Sequence, residues 1–383
     1  MSNIYDYLKE DCYESFDERE LTSVDSLALS FASYYQYNKR SLEGLNSYIK
    51  EDVKLKDILF FYRENQDYLF KSEYEKALFF LVSNKRFENI KVNYYSSILK
   101  NNPAVQFSAI TYFLDEKRVY IAFRGSDGTI VGYKEDLEMS FSKSLKGQRI
   151  ALDYLNSVLN KLHKDSIIYI GGHSKGGNFA KYAYLYTSKE NKERIKKVFD
   201  HDGPGFLEDI NSNEQFIPYL DKIDRTVPTN DMVGLLLNNP PNKNIIKTST
   251  PLILNQHFPQ NWLVENKDFV YANSSARASK VLDKSIHTWL ESISTKKRKE
   301  FVDLIFNVFE ENNISSVEEF KNNGLDKLRK ILKSYSKVSK EDKRFITEVA
   351  NLIVQRIISM TFSSILITSS HLLDLRKPEA PTR

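Results

Sequence analysis

The stretch Tyr169-Ile170-Gly171-Gly172-His173-Ser174-Lys175-Gly176-Gly177-Asn178 governs how the rest of the chain reads. It opens as an apolar strand over 167–170 and closes as the polar start of a helix over 178–186. Between them Gly172-x-Ser174-x-Gly176 has the spacing of a nucleophile elbow, in which a serine sits on a strained strand-to-helix turn with its hydroxyl held out. Glycine is needed on both sides because strand and helix backbones approach too closely there for a Cβ. The first N–H groups of the helix would face charge developing beside Ser174.

Composition narrows the classes around that motif. With 383 residues the chain can bury a large core and holds one big domain with an appendage. Its 55 basic and 51 acidic residues nearly cancel to a net charge of +4, which leaves no nucleic-acid footprint and a slight surplus favouring anionic lipid or substrate. A lone cysteine, Cys12, excludes a disulfide framework, suits a cytoplasmic protein and makes a poor nucleophile. The first ten residues carry Asp6, Lys9 and Glu10 and no apolar signal core. Residues 357–373 lack formal charge but are interrupted by Ser and Thr, which reads as a docked helix rather than a membrane span.

Read in order, residues 1–100 are expected to be mainly helical, with apolar patches at 27–31, 58–62 and 77–82. Strands are expected to begin after Pro103: a hairpin from Phe107–Leu114 and Val119–Phe123, then strands at 167–170, 198–199, 223–227 and 252–254, with helix over 146–162. This alternation indicates an α/β fold with a mostly parallel central sheet. From about Ser274 the strand signals stop. Stripes at 301–309 and 346–357, with a capping box at Ser315-Ser316-Val317-Glu318, predict a helical C-terminal subdomain or lid over 286–383, after a first domain over 1–285. The basic run Lys296–Lys299 reads as a solvated helix start.

A serine hydroxyl needs a base, and the base an orienting acid. Of the histidines after Ser174, His287 and His371 fall in helical or apolar stretches and His201 comes early. His257, in a loop after the last strand signal and before Pro259, is the expected base. Asp231, after a strand and beside Pro228 and Asn230, is favoured as the acid, with Asp202 in its Gly-Pro-Gly loop as the competitor. Oxyanion donors are expected from the backbone of Lys175 and from Arg124-Gly125-Ser126, where Gly125 permits close approach and Ser126 adds a hydroxyl. The Lys175 side chain is expected either in an ion pair with Asp136 or Asp202, or on a phosphate or carboxylate of the substrate.

Together these stretches resemble the class 3 (fungal-type) lipase-like α/β-hydrolases: Ile121-Ala122-Phe123-Arg124-Gly125-Ser126, Asp136 within 133–137, Gly172–Gly177 and Asn230-Asp231-Met232-Val233. A nearer likeness is to the bacterial Mbeg-like proteins, on Asp25-Ser26-Leu27-Ala28-Leu29-Ser30, Asp202-Gly203-Pro204-Gly205-Phe206, and Gln256-His257-Phe258 with Trp262. The resemblance covers roughly 1–285. It implies an α/β-hydrolase fold and an esterase or lipase with Ser174, Asp231 and His257 catalytic, Ser126 and Lys175 at the oxyanion, and no cofactor or metal. The partners it implies are an acyl-ester or lipid substrate and peripheral membrane contact. A hydrolase-fold protein used for binding or regulation, and a thioesterase or amidase with the same residues, stand as alternatives.

Overall fold

The computed structural model describes residues 2–10, 14–35, 37, 52–58, 72–230, 232–274, 294–311 and 315–316. The chain divides into two compact units, Met1–Asn307 and Val308–Arg383. The helical stripe expected at 346–357 and the apolar stretch 357–373 lie outside the described residues.

Among the described residues, the first unit is built on an eight-stranded sheet whose strands lie in chain order. These are β2 (Val53–Lys54), β3 (Lys91–Lys100), β4 (Val105–Phe113), β5 (Arg118–Phe123), β6 (Ile167–His173), β7 (Ile195–His201), β8 (Ile223–Pro228) and β9 (Asn244–Ile246). The pairs from β2 to β5 are antiparallel and those from β5 to β9 parallel. A second, antiparallel sheet joins β1 (Ser2–Asn3) to β10 (Leu263–Glu265) and β10 to β11 (Asp268–Phe269). The mixed α/β architecture expected from the sequence is present.

Two expectations fail. Strands begin before Pro103, because β3 occupies ten residues of the supposed helical lead-in. Its pairing with β4 shifts register between Asn93 and Ser96, and Tyr94 has φ +54°. That bulge breaks the period-2 alternation by which a strand is recognised. The strand expected at 252–254 is instead part of a short helix, Ile253–Gln256. Three apolar residues are too few to separate the two periods.

Alternation along the central strands feeds two cores. Val105, Phe107, Val119, Ile121, Phe123, Ile168, Ile170 and Val198 face α5 (Lys146–Leu159) and α6 (Lys175–Tyr186). Ile110, Tyr112, Tyr120, Ala122, Tyr169 and Phe199 face the other way, against α1 (Ile4–Lys9), α2 (Ser23–Ala32) and α3 (Glu73–Ser83). The N-terminal segment therefore supplies the second cover of the sheet.

Polar groups fix that cover in place. Asp25 closes the capping box of α2 with Thr22. Its carboxylate also accepts Nε and Nη2 of Arg86 at 3.1 and 2.8 Å and the Tyr7 hydroxyl at 2.5 Å. The remaining guanidinium hydrogens of Arg86 go to the carbonyls of Glu14, Ser15, Arg19 and Glu20. On the same helix, Ser26 and Ser30 both meet the Tyr120 hydroxyl, at 2.8 and 2.7 Å, and Ser26 also meets His201 Nε2 at 2.9 Å.

Removing one member of a fully buried ion pair strands the other, at a cost of about 3–5 kcal/mol. Arg86→Met is expected to lower the urea midpoint of unfolding accordingly, while a loss below about 1 kcal/mol would refute the clamp. His201 gives a second expectation. Burial pushes its pKa down to about 4, whereas the unfolded chain titrates near 6.5. Between those values the unfolded state binds more protons, so this contribution is complete above about pH 6.5 and is lost as the pH falls towards 4. The loss is on the order of 3 kcal/mol. Urea unfolding at a series of pH values should show that slope, flattened in His201→Gln.

Candidate active site

Ser174 stands between the end of β6 and the first residue of α6, with φ +59° and ψ −130°. The sequence produces this turn by leaving no side chain at the crossing of strand and helix. A Cβ on Gly172 would lie 2.4 Å from the Gly176 carbonyl carbon, and one on Gly176 would lie 2.0 Å from the Phe123 oxygen. Backbone strain of this kind is held only where packing over-determines it.

Two neighbours complete a hydrogen-bonded chain. The Ser174 hydroxyl is 2.9 Å from His257 Nε2, and His257 Nδ1 is 2.6 Å from Asp202 Oδ2. All three residues are buried. The carboxylate at Nδ1 thus belongs to Asp202, the competitor, and takes the place the sequence favoured for Asp231, which lies outside the described residues. The reason is strand order. β7 lies directly beside β6, with His201 in register with His173, so the residue after β7 reaches the His257 imidazole that meets Ser174. Strand β8, which leads to Asp231, is one strand further away.

The Asp202 loop is held from beneath. Asp202 has φ +58°, and its Oδ1 accepts the Gly234 N–H at 3.1 Å. Two residues earlier, Asp200 accepts the Gly203 N–H at 2.9 Å and Lys181 Nζ at 2.6 Å, with Arg225 Nε at 3.3 Å. Arg225 also donates to the Gly234 carbonyl at 2.7 Å. Burial lowers the Lys181 pKa to about 8 against the opposing pull of Asp200. Sequence reasoning missed this trio. The signal for it was a lysine set among Phe179, Ala180, Tyr182 and Ala183 on α6.

The other expected site residues fall into two groups. A Cβ on Gly125 would lie 2.0 Å from the Tyr34 hydroxyl and 2.6 Å from the His173 carbonyl oxygen, so the glycine packs its backbone closely against both. Arg124 pairs with Asp127 of its own loop at 3.0 Å, and the Ser126 hydroxyl lies 2.6 Å from Asp136 Oδ2, donating to it. Lys175 Nζ turns inward to Glu135 at 3.1 Å, with Asp136 at 3.7 Å. Asp136 was one of the expected partners. Asp202 is engaged elsewhere, and the nearer Glu135 was not foreseen. Glu135 also accepts the backbone N–H groups of Gln106 and Gly147 at 3.1 and 2.9 Å, tying β4 and α5 to the start of α6. Among the described residues no group of three or more His, Cys, Asp or Glu side chains is placed to hold a metal ion.

Lys175→Met keeps the backbone donor and strands Glu135. It is expected to cost about 3 kcal/mol of stability, read by urea unfolding. Unchanged stability would show the pair to be dispensable.

Among solved structures the chain is similar to the crystal structure of M37 lipase, at 14% identity over 70% of this chain and 80% of that one, with a TM-score of 0.36. No curated protein matches it. Residues 81–307, more than half of the sequence, match the family described as Mbeg1-like. The matched segment runs from the end of α3 through Ser174, Asp202 and His257, and the chain belongs to the Mbeg1-like family.

Proposed function

We propose that the chain is a serine hydrolase of the α/β-hydrolase type that cleaves acyl esters, lipid esters included. The observation that carries this reading is the chain of hydrogen bonds from Ser174 Oγ through the two ring nitrogens of His257 to Asp202, at 2.9 and 2.6 Å. A carboxylate can only accept, so His257 bears its proton on Nδ1 and turns the Nε2 lone pair to the serine hydroxyl.

The chemistry follows from that tautomer. As Ser174 Oγ bonds to the ester carbonyl carbon, its proton passes to His257 Nε2, and Asp202 stabilises the imidazolium. The carbonyl oxygen becomes an oxyanion. Its donors are the main-chain N–H groups of Lys175, first residue of α6, and of Ser126, because the Ser126 hydroxyl hydrogen is committed to Asp136. The carbon–oxygen bond to the alcohol then breaks, and His257 returns its proton to the departing oxygen. Water repeats the sequence on the acyl-enzyme, releasing the acid and restoring Ser174.

The inward ion pair of Lys175 bears on the substrate. A cation satisfied by Glu135 and Asp136 offers no charge to an anionic head group, so the reading favours uncharged acyl esters over recognition of a phosphate or carboxylate at this position.

Short-chain ester turnover and fluorophosphonate labelling test the assignment. Ser174→Ala and His257→Ala are expected to lose several orders of magnitude in kcat while remaining folded, with Asp202→Asn down by about 10⁴-fold. Asp231→Asn should retain activity within a few-fold. A folded Ser174→Ala protein with full turnover would overturn the hydrolase reading. A large loss in Asp231→Asn with none in Asp202→Asn would move the acid.

A further inference from the structure

His173, the residue before Ser174, does not take part in the steps above, yet its ring is buried against His257 with centroids 4.7 Å apart. Its Nε2 lies 2.8 Å from the His257 main-chain oxygen. A carbonyl only accepts, so Nε2 carries the hydrogen and a neutral ring presents Nδ1 as an acceptor. The Tyr34 hydroxyl stands 3.2 Å from that nitrogen and 3.2 Å from the His173 carbonyl oxygen. Tyr34 in turn stacks on Tyr74, with ring centroids 4.7 Å apart at 11°.

The segment carrying His257 needs such support. It is the C-cap of a four-residue helix, too short to fix an imidazole by its own hydrogen bonds. Two successive carbonyls of this segment are held by ring N–H donors: that of Gln256 by Trp262 Nε1 at 2.8 Å, and that of His257 by His173. The first donor comes from the same loop. The second comes from the strand that bears the nucleophile, so it ties the base to the group it must serve.

We propose that His173, oriented by Tyr34, is a positioning residue that holds the His257 main chain so that one imidazole meets Asp202 and Ser174 together. The N-terminal segment thereby completes the site, since Tyr34 lies before the family match at 81–307. This rests on the hydrolase reading for its consequence in turnover, but not for its geometry. Misplacing a reacting group by about 1 Å costs on the order of 10²-fold in rate.

The test compares His173→Leu, His173→Gln and Tyr34→Phe in the full chain. The first readout is the downfield proton resonance of His257 Nδ1–H, identified by its loss in His257→Gln, which reports the bond to Asp202 without any turnover. The second is the rate of labelling by a fluorophosphonate. His173→Leu is expected to broaden the resonance away and slow labelling about 100-fold. His173→Gln, whose amide restores a donor near the Nε2 position, should recover the resonance and labelling to within about tenfold, and Tyr34→Phe should fall between. An unchanged resonance in folded His173→Leu overturns the proposal, as does a loss in His173→Gln as deep as in His173→Leu. If His173→Leu fails to fold, Tyr34→Phe with full resonance and full labelling overturns it. Absence of labelling in the unsubstituted protein would count against the hydrolase reading alone, and the resonance would still decide the positioning role.

Discussion

A run of parallel strands that steps across a sheet in one direction puts all its right-handed crossovers on one face. From β5 to β9 this chain steps in that way. The helices between β5 and β7 accordingly pack on the side of Val119, Ile121, Ile168 and Ile170. The opposite side, with Tyr112, Tyr120, Tyr169 and Phe199, must be covered from outside the strand–helix alternation, and the N-terminal helices do so together with Trp262, Val264 and Phe269. Arg86 and Asp25 serve that constraint. They are buried and cost desolvation, but a guanidinium with every hydrogen placed and a carboxylate with several donors recover much of it.

The same order builds the site. Adjacent parallel strands end at the same edge, so the residue after β6 and the residue after β7 arrive side by side with little contribution from long loops. Two carboxylates two residues apart then do different work. Asp200 is drawn beneath the turn by Lys181 and Arg225, while Asp202 is left to His257. The buried cluster of Lys181, Asp200 and Arg225 secures the loop from which Asp202 is presented.

Much of this was legible in the sequence. Gly172, Ser174 and Gly176 bear the mark of a crossing too tight for side chains, and His257 could be reached by elimination. The acid could not be chosen, because Asp202 and Asp231 both follow strands and only the lateral order of those strands separates them. β3 was hidden by its bulge at Tyr94, and the helix before His257 by its brevity. The ion pair of Lys175 with Asp136 was foreseen, but not the nearer Glu135, its neighbour in α4 (Ile130–Glu138), whose carboxylate turns more directly to the lysine. Such distinctions depend on rotation about a helix axis, which short polar sequences leave unspecified. The pairing of Tyr34 with His173 gave no signal, because the two lie far apart in the chain and their other hydrogen-bond partners are main-chain oxygens.

Ser26 and Ser30, one turn apart on α2, meet a single Tyr120 hydroxyl, and Ser26 also reaches His201. In energy alone a row of leucines against this face would serve as well or better. Greasy surfaces tolerate sliding, however, and a helix moved by one residue would carry both hydroxyls away from the tyrosine and leave polar atoms dry. The tyrosine acts as a peg and the two serines as its notch. Alignment of the N-terminal helix on the sheet is therefore a matter of yes or no rather than of degree, and Tyr34, two residues beyond the end of that helix, inherits its position from that choice.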